Sequence, residues 1–432
     1  MYTVALATLG CKVSQYETEA VKEAFLSRGF LAVDFSERAD VYVVNTCTVT
    51  AESDRKCRQV IRRAVRQNPD AVIMVMGCYS QRSPQEVVKI EGVSYVSGTD
   101  GKMKIPEAAE CLLREKADEA VLAVTPLEGV PFEKMSVYGA PRTRAYVKIE
   151  DGCECRCTYC AIPDARGNVR SKAPGDVLNE VETLVRNGTQ EVVLTGIETA
   201  SYGADLEGCR LIDLLEILDE KSSVERIRLG SLTPELMRED FVARLSLLKK
   251  IVPHFHLSMQ SGSDGVLRRM KRRYNSSMAL DALSRLRAVL PGVQFTTDMM
   301  VGFPGESEEE FEETVAFAKK ATFLDMHVFA YSRRKGTEAD GYGGQVAESV
   351  KRERSARLTQ LAKALREKCL EKIVAEGKPL NVLFETEENG SWNGHSDEFA
   401  SVCVSSPLSL HGEMKRVMPL SVSDGVIFGE LI

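Results

Sequence analysis

In the amino-terminal quarter of the chain, short, evenly apolar runs alternate with stretches of helical period. Runs at Tyr2 to Leu6, Val41 to Val44 and Ala71 to Met76 predict buried strands, and the patterns at about Tyr16 to Arg28 and Glu52 to Gln67 predict amphipathic helices. This alternation implies an α/β domain with a mainly parallel sheet. From about Asp118 to Thr143 the pattern loosens, with Pro126, Gly129, Pro131, Gly139 and Pro141 as breakers, which predicts a linker. Six further strand candidates follow: Tyr146 to Ile149, Glu191 to Thr195, Arg226 to Leu229, Phe255 to Leu257, Gln294 to Thr297 and Met326 to Phe329. Helical patterns near Asp176 to Arg186, Leu211 to Leu218, Pro234 to Leu248, Met278 to Val289 and Ser307 to Lys320 separate them. Six βα units in series predict a partial (β/α)6 barrel, whose chemistry belongs on the loops after the strands. A charged helix, about Ala347 to Ala375, then leads to short apolar runs at Leu380 to Phe384, Ala400 to Val404 and Gly425 to Phe428, as in a small β-barrel. The domain plan is therefore 1–117, a linker at 118–143, a barrel at 144–346, a connecting helix at 347–375 and a last domain at 376–432.

Cysteine usage changes this picture from architecture to chemistry. The stretch Glu150-Asp-Gly-Cys153-Glu-Cys155-Arg-Cys157-Thr-Tyr159-Cys160 follows the first barrel strand, and Cys153, Cys157 and Cys160 form C-x3-C-x2-C. Three thiolates on so short a loop can wrap one face of a 4Fe-4S cube and leave the fourth iron open to an exogenous ligand. A zinc knuckle would need a fourth nearby ligand, and Cys155 is badly placed to share a tetrahedron with its neighbours. In the amino-terminal domain, Cys11, Cys47 and Cys78 each follow an apolar run within a few residues, so three strand ends can bring three thiols to one point. The remaining cysteines, Cys57, Cys111, Cys155, Cys209, Cys369 and Cys403, read as packed or idle thiols.

These residues carry two resemblances. The Cys153/Cys157/Cys160 loop resembles that of the radical S-adenosylmethionine (SAM) superfamily, in which SAM chelates the open iron. Leu-Gly-Cys-Lys-Val-Ser-Gln-Tyr-Glu-Thr at 9–18, Asn-Thr-Cys-Thr-Val-Thr at 45–50 and Gly-Cys-Tyr at 77–79 resemble the amino-terminal domain of the methylthiotransferases, and the likeness spans almost the whole chain. The resemblance implies a second 4Fe-4S cluster on Cys11, Cys47 and Cys78, and a carboxy-terminal domain of the OB-like TRAM type. It implies a reaction that uses SAM twice, once to methylate a sulfur at the amino-terminal cluster and once as the source of a deoxyadenosyl radical, ending in methylthiolation of carbon two of a modified adenine. SAM contacts are expected from Tyr159, Glu198 in Gly196-Ile-Glu198, Ser231, Gln260, and the backbone of the turn between Gly302 and Gly305. That turn lacks the Lys-Ser/Thr of a P-loop. The 9–18 stretch is most similar to the branch acting on threonylcarbamoyladenosine at tRNA position 37. Isopentenyladenosine or a ribosomal protein are the alternative substrates within the family, and a zinc-containing RNA-binding protein is the alternative from another class. In that branch Ser14 replaces a usual Asn.

With a net charge of −7 and a pI near 5.6, the chain is no general nucleic-acid coat, so RNA contacts must be local. Two basic stretches are candidates: Arg55, Arg58, Arg62 and Arg66 on one helical face, and Arg268 to Arg273 ending at Tyr274, an aromatic that could stack on a base. Within the second, Arg269, Arg272 and Arg273 are the RNA-contact candidates. A cationic rim at Arg333, Arg334 and Lys335, after the sixth barrel strand, could meet the carboxylate of a threonylcarbamoyl group. The last segment, Glu376 to Ile432, holds nine acidic residues against three basic ones, which argues against phosphate binding there. The expected partners are a tRNA anticodon stem-loop, an electron donor protein such as flavodoxin or ferredoxin, and a sulfur donor. No apolar run is long enough to span a membrane and the start carries no basic leader, so a cytoplasmic protein is expected.

Overall fold

The computed structural model describes residues 1–115, 119–139 and 143–432. Strand β1 (Thr3–Thr8) passes through Cys11 into helix α1 (Lys12–Ser27). Strands β2 (Leu31–Val33) and β3 (Val41–Thr46), helix α2 (Ala51–Gln67), strand β4 (Val72–Gly77), helix α3 (Cys78–Arg82) and strands β5 (Val93–Ser97) and β6 (Val121–Ala123) follow. All six strands pair in parallel in the order β2-β1-β3-β4-β5-β6. β3 and β4 are buried along their whole length because both faces are covered. Val43, Met74 and Met76 pack under Val21 and Phe25 of α1, while Val44, Ile73 and Val75 pack under Ile61 and Ala64 of α2. β6 adds a sheet edge inside the stretch read as linker; Val121-Leu122-Ala123 is too short to stand out among the flanking breakers. Asp118 and Pro141 of that reading lie outside the described residues.

The central domain holds β7 (Arg144–Lys148), a two-residue ladder of β8 (Glu150–Asp151) with β9 (Arg170–Ser171), and then β10 (Glu191–Thr195), β11 (Arg226–Leu229), β12 (Ser231–Leu232), β13 (His254–Leu257), β14 (Gln294–Val301) and β15 (Asp325–Ala330). Two parallel sheets, β7-β10-β11 and β12-β13-β14-β15, are joined where Gly230 alone separates β11 from β12 and Ile227 bridges Ile251. The result is the expected open barrel of six strand positions. Alternation sorts its faces. Phe255, Leu257, Phe295, Met299 and Val301 pack outward against the helices, and His254, His256, Thr296 and Asp298 point the other way, toward the lumen.

Helix Glu348–Ala375 leads to β16 (Leu380–Glu388), β17 (Ser391–Ser396), β18 (Ser401–Ser405), β19 (Met414–Ser423) and β20 (Val426–Leu431), which close as β16-β17-β18-β20-β19. This small barrel docks on the first residues of the central strands, the end opposite the strand-following loops. Glu191, at the start of β10, accepts from Arg226 Nε at 2.5 Å and Arg228 Nε at 3.0 Å, with Arg144 Nη1 at 3.8 Å. The same arginines reach across to the small barrel. Arg226 donates to Asp397 Oδ1 at 2.6 Å, Arg228 to the Asp397 carbonyl at 3.1 Å, and Arg144 to Glu385 Oε2 at 2.6 Å. Phe399 fills the centre, stacked between His254 and His395 at centroid distances of 4.6 and 4.7 Å, with Arg228 over its ring at 4.9 Å. Two of the segment's acidic residues thus serve this joint. No helix among the described residues is long and apolar enough to cross a membrane.

Candidate active site

β1, β3 and β4 are neighbours in the amino-terminal sheet, so parallel pairing brings the cysteines that follow them to one edge. Cys11 is the residue before α1, Cys47 follows β3 directly, and Cys78 opens α3. Gly10 sits at φ +132°, a conformation strained for any other residue, and a Cβ there would crowd the Cys47 Cβ at 3.2 Å and Ser14 Oγ at 3.0 Å. Each sulfur faces a polar group. Ser14 Oγ lies 3.8 Å from Cys11 Sγ, the Val49 N–H and the Ser53 side chain reach Cys47, and Arg166 Nε donates to Cys78 Sγ at 3.1 Å. Cys57, read as a packed or idle thiol, is packed and also braces the loop: its sulfur accepts from the Cys47 N–H at 3.3 Å and donates to the Cys47 carbonyl at 3.4 Å. Burial pushes the Cys47 thiol up and the Cys78 thiol to about 11, so metal uptake would release protons here.

The second set follows β7 and β8. Sulfur-directed donors recur: the Cys155 N–H to Cys153 Sγ at 3.4 Å, the Ile162 N–H to Cys160 Sγ at 3.4 Å, and Arg272 Nη1 to Cys157 Sγ at 3.3 Å. Cys155 is less remote than its reading as an idle thiol implied. Its sulfur, Cys153 Sγ and a Glu198 carboxylate oxygen all lie within 4.8 Å of one another. The bond from Cys153 outweighs burial and lowers the Cys155 thiol to about 6. Burial, and then Cys155, raises Glu198 to about 7. Glu198 Oε1 is buried with no hydrogen-bond partner among the described residues, so an unsatisfied carboxylate oxygen stands beside the cysteine loop. An ammonium group would satisfy it.

The other expected SAM contacts separate into two groups. Gln260 is held at φ +63°, sparsely populated for a residue with a side chain, by its N–H to the Asp298 carbonyl at 2.9 Å and its carbonyl to the Met300 N–H at 2.8 Å. Its side-chain amide makes no hydrogen bond among the described residues. Ser231 is exposed at the start of β12, and Tyr159 packs edge-on to Phe303 at 6.5 Å. The turn from Gly302 to Gly305 is committed elsewhere. The Gly302 N–H donates to Glu306 Oε2, a Cβ on Gly302 would lie 2.4 Å from Lys351 Cγ, and the Gly305 N–H donates to the Gly344 carbonyl at 2.8 Å.

The basic residues also divide. Arg269 is paired bidentately with Glu310 at 2.9 and 2.6 Å, Arg272 is turned inward to Cys157, and Arg273 and Arg268 are exposed, their side chains making no hydrogen bond or ion pair among the described residues. Tyr274 is 4% exposed and donates to the carbonyls of Ser258 and Met259, which corrects the expectation that it could stack on a base. Arg333 pairs with Asp340 at 2.6 Å; Arg334 is buried against Asp54 at 2.6 Å and Thr48, pinning the Cys47 loop to the barrel; Lys335 is exposed. On α2, Arg55 pairs with Glu52 and Arg58 with the Tyr79 hydroxyl, while Arg62 and Arg66 remain exposed. Sequence reasoning missed Arg166 as a sulfur partner altogether, since no periodicity links it to Cys78, 88 residues away. His256 and His327, whose alternation along their strands reads as core or lumen, contact Asp298 at 3.2 and 3.3 Å, a partner the sequence did not indicate.

An open parallel barrel with three cysteines on the loop after its first strand defines a radical SAM enzyme. Residues 147–318 match the radical SAM superfamily, and residues 3–98 match the uncharacterized protein family UPF0004. The radical SAM methyltransferase TsrM from Kitasatospora setae shares the fold with a TM-score of 0.54 at 18% identity, covering 76% of this chain and 75% of that one. The threonylcarbamoyladenosine tRNA methylthiotransferase MtaB of Bacillus subtilis is 42% identical over 96% of this chain and 93% of its own length. MtaB of Aquifex aeolicus is 38% identical over 89% and 93%, and the tRNA-2-methylthio-N(6)-dimethylallyladenosine synthase of Carboxydothermus hydrogenoformans is 34% identical over 86% and 88%. The chain belongs to the methylthiotransferase family of radical SAM enzymes. It is a transferase whose cofactors are SAM and two 4Fe-4S clusters, and the zinc-protein reading is set aside. The donor sets fit: two groups of three unbridged thiols, every sulfur facing a polar group, with the buried Glu198 Oε1 left open beside the second.

Proposed function

We propose that this enzyme converts threonylcarbamoyladenosine at position 37 of tRNA to its 2-methylthio derivative, with Cys153, Cys157 and Cys160 holding the SAM-binding cluster and Cys11, Cys47 and Cys78 the other. The observation that carries the reading is the packing of α3, which begins at Cys78, on the helix Ile162–Arg166, which begins two residues after Cys160. It supports delivery of sulfur from one cysteine set to a carbon activated at the other. The 4Fe-4S cluster that Cys153, Cys157 and Cys160 would hold would supply, with SAM bound, the low-potential electron for sulfonium cleavage. Glu198 would hold the SAM ammonium through its open oxygen, and Gln260 and Ser231 would orient the carboxylate and ribose. The small barrel at the base of the central one keeps that end of the lumen from bulk water.

Recognition of the threonylcarbamoyl carboxylate falls to cations not already spent on internal partners. Lys335 meets that condition among the described residues, while Arg333 shares its charge with Asp340 and Arg334 is buried against Asp54 and Thr48. Lys12, next to Cys11, is exposed, yet desolvation by the surrounding walls, with Arg144 and Arg228 acting in the same direction, lowers its pKa. A positively charged group at the lumen discriminates strongly, because an isopentenyl substrate leaves it unpaired. The remaining partners are the anticodon stem-loop, an electron donor protein and a sulfur donor, and the reaction belongs to the cytoplasm. Nucleoside analysis of tRNA from cells lacking the gene tests the reading. The expected result is loss of the methylthio derivative with accumulation of threonylcarbamoyladenosine; loss of the methylthio form of isopentenyladenosine instead would refute the branch.

A further inference from the structure

Arg166 is fully buried, yet it lies in no apolar core. Besides its Nε bond to Cys78 Sγ at 3.1 Å, its Nη1 reaches Glu17 Oε1 at 2.5 Å and Asp151 Oδ2 at 3.2 Å, and its Nη2 reaches Glu17 Oε2 at 3.2 Å. Glu17 comes from α1 of the amino-terminal domain, and Asp151 stands two residues before Cys153. Lys148 Nζ bridges the same two carboxylates at 2.7 and 2.6 Å, Lys102 lies 3.3 Å from Glu17 and 3.9 Å from Glu133, and Arg170 lies 3.5 Å from Asp151. One ionic cluster therefore spans both cysteine sets.

The balance of this cluster is informative. Among the described residues it holds four cations, Arg166, Lys148, Lys102 and Arg170, against three carboxylates, Glu17, Asp151 and Glu133. Arg166 meets Glu17 and Asp151 with its terminal nitrogens and turns its Nε–H to the Cys78 sulfur, where a thiolate ligand would add a negative charge to a cluster with more cations than carboxylates. Hydrogen bonds and cations at cluster sulfurs stabilise the more negative, reduced cluster and so raise its potential.

We infer that Arg166 is a positioning residue for the amino-terminal cluster: its charge-assisted N–H···S bond fixes the Cys78 thiolate and raises the potential of that cluster, while its bridge from Glu17 to Asp151 holds the two cysteine sets in one frame. This rests on Cys78 being a cluster ligand. The test uses full-length protein carrying Cys153→Ala, Cys157→Ala and Cys160→Ala, so that only the amino-terminal cluster remains. Adding Arg166→Gln should move its midpoint potential to a more negative value at unchanged iron content, and Arg166→Lys should restore part of the shift. An unchanged midpoint in Arg166→Gln at full iron occupancy overturns the inference. Should Arg166→Gln fail to load, 15N-arginine labelling of the otherwise unaltered triple variant decides by pulsed electron paramagnetic resonance. An arginine nitrogen coupling to the reduced cluster supports the bond, and its absence refutes it. A triple variant with no iron would instead overturn the two-cluster assignment beneath it.

Discussion

Replacing Glu191 with Gln should loosen the docking of the small barrel onto the base of the central one. Glu191 is fully buried and is the carboxylate shared by Arg144, Arg226 and Arg228, each of which also contacts the small barrel. Burial opposes its ionisation, yet the three guanidiniums win and lower its pKa from 4.5 to about 2. At about 1.4 kcal/mol per unit, that interval corresponds to about 3 kcal/mol of stability at neutral pH. It matches the roughly 3 to 5 kcal/mol lost when one partner of a buried ion cluster is removed. Trp392, the single tryptophan, lies in β17 of the small barrel and gives a local probe. Urea unfolding of the metal-free protein, followed by Trp392 fluorescence at pH 7, should show the Glu191→Gln variant less stable by about 3 kcal/mol. The pH dependence has a fixed sign. A carboxyl with a depressed folded pKa contributes its full stability above the unfolded value of 4.5 and loses it as pH falls toward about 2, so wild type and variant should converge across that window. Glu385, also lowered to about 2 beside His395 and Arg144, should add to the same acid transition. A difference below about 1 kcal/mol at pH 7, or one that persists at pH 2, would refute the reasoning.

Two further predictions concern the chemistry. Alanine at Cys153, Cys157 and Cys160 should leave about four irons per chain and abolish SAM cleavage, whereas alanine at Cys11, Cys47 and Cys78 should spare cleavage and stop thiolation, as read by iron analysis and deoxyadenosine release. Loss of cleavage in the second variant, with its remaining cluster intact, would contradict the assignment. Reversal of the two unpaired cations, Arg268→Glu with Arg273→Glu, should reduce the salt dependence of tRNA binding by roughly one slope unit per lost phosphate contact. An unchanged slope would return that run to a solvated face.

The central β/α order was legible because its strands are short apolar runs in a regular alternation, and the predicted spans at Glu191 to Thr195 and Arg226 to Leu229 coincide with β10 and β11. β17 was not legible: Ser391-Trp-Asn-Gly-His-Ser is mostly polar, and only its pairing with β16 and β18 makes a strand of it. At the site, the cysteines stood out because few other roles explain their spacing. Their partners did not. Arg166 and Arg272 are ordinary charges in the sequence and become sulfur-directed only when the chain brings them across 88 and 115 residues. Tyr274 was misjudged for the complementary reason, since an aromatic beside basic residues reads as a base-stacking platform until packing buries it.

The central claim is tested most directly by giving the reconstituted enzyme, with SAM, a low-potential reductant and a sulfide source, two tRNAs that differ only in carrying threonylcarbamoyladenosine or isopentenyladenosine, and following methylthio products by mass spectrometry. The account predicts methylthiolation of the threonylcarbamoyl tRNA and little of the other. Methylthiolation of the isopentenyl tRNA alone, or of neither while SAM is cleaved, would contradict it.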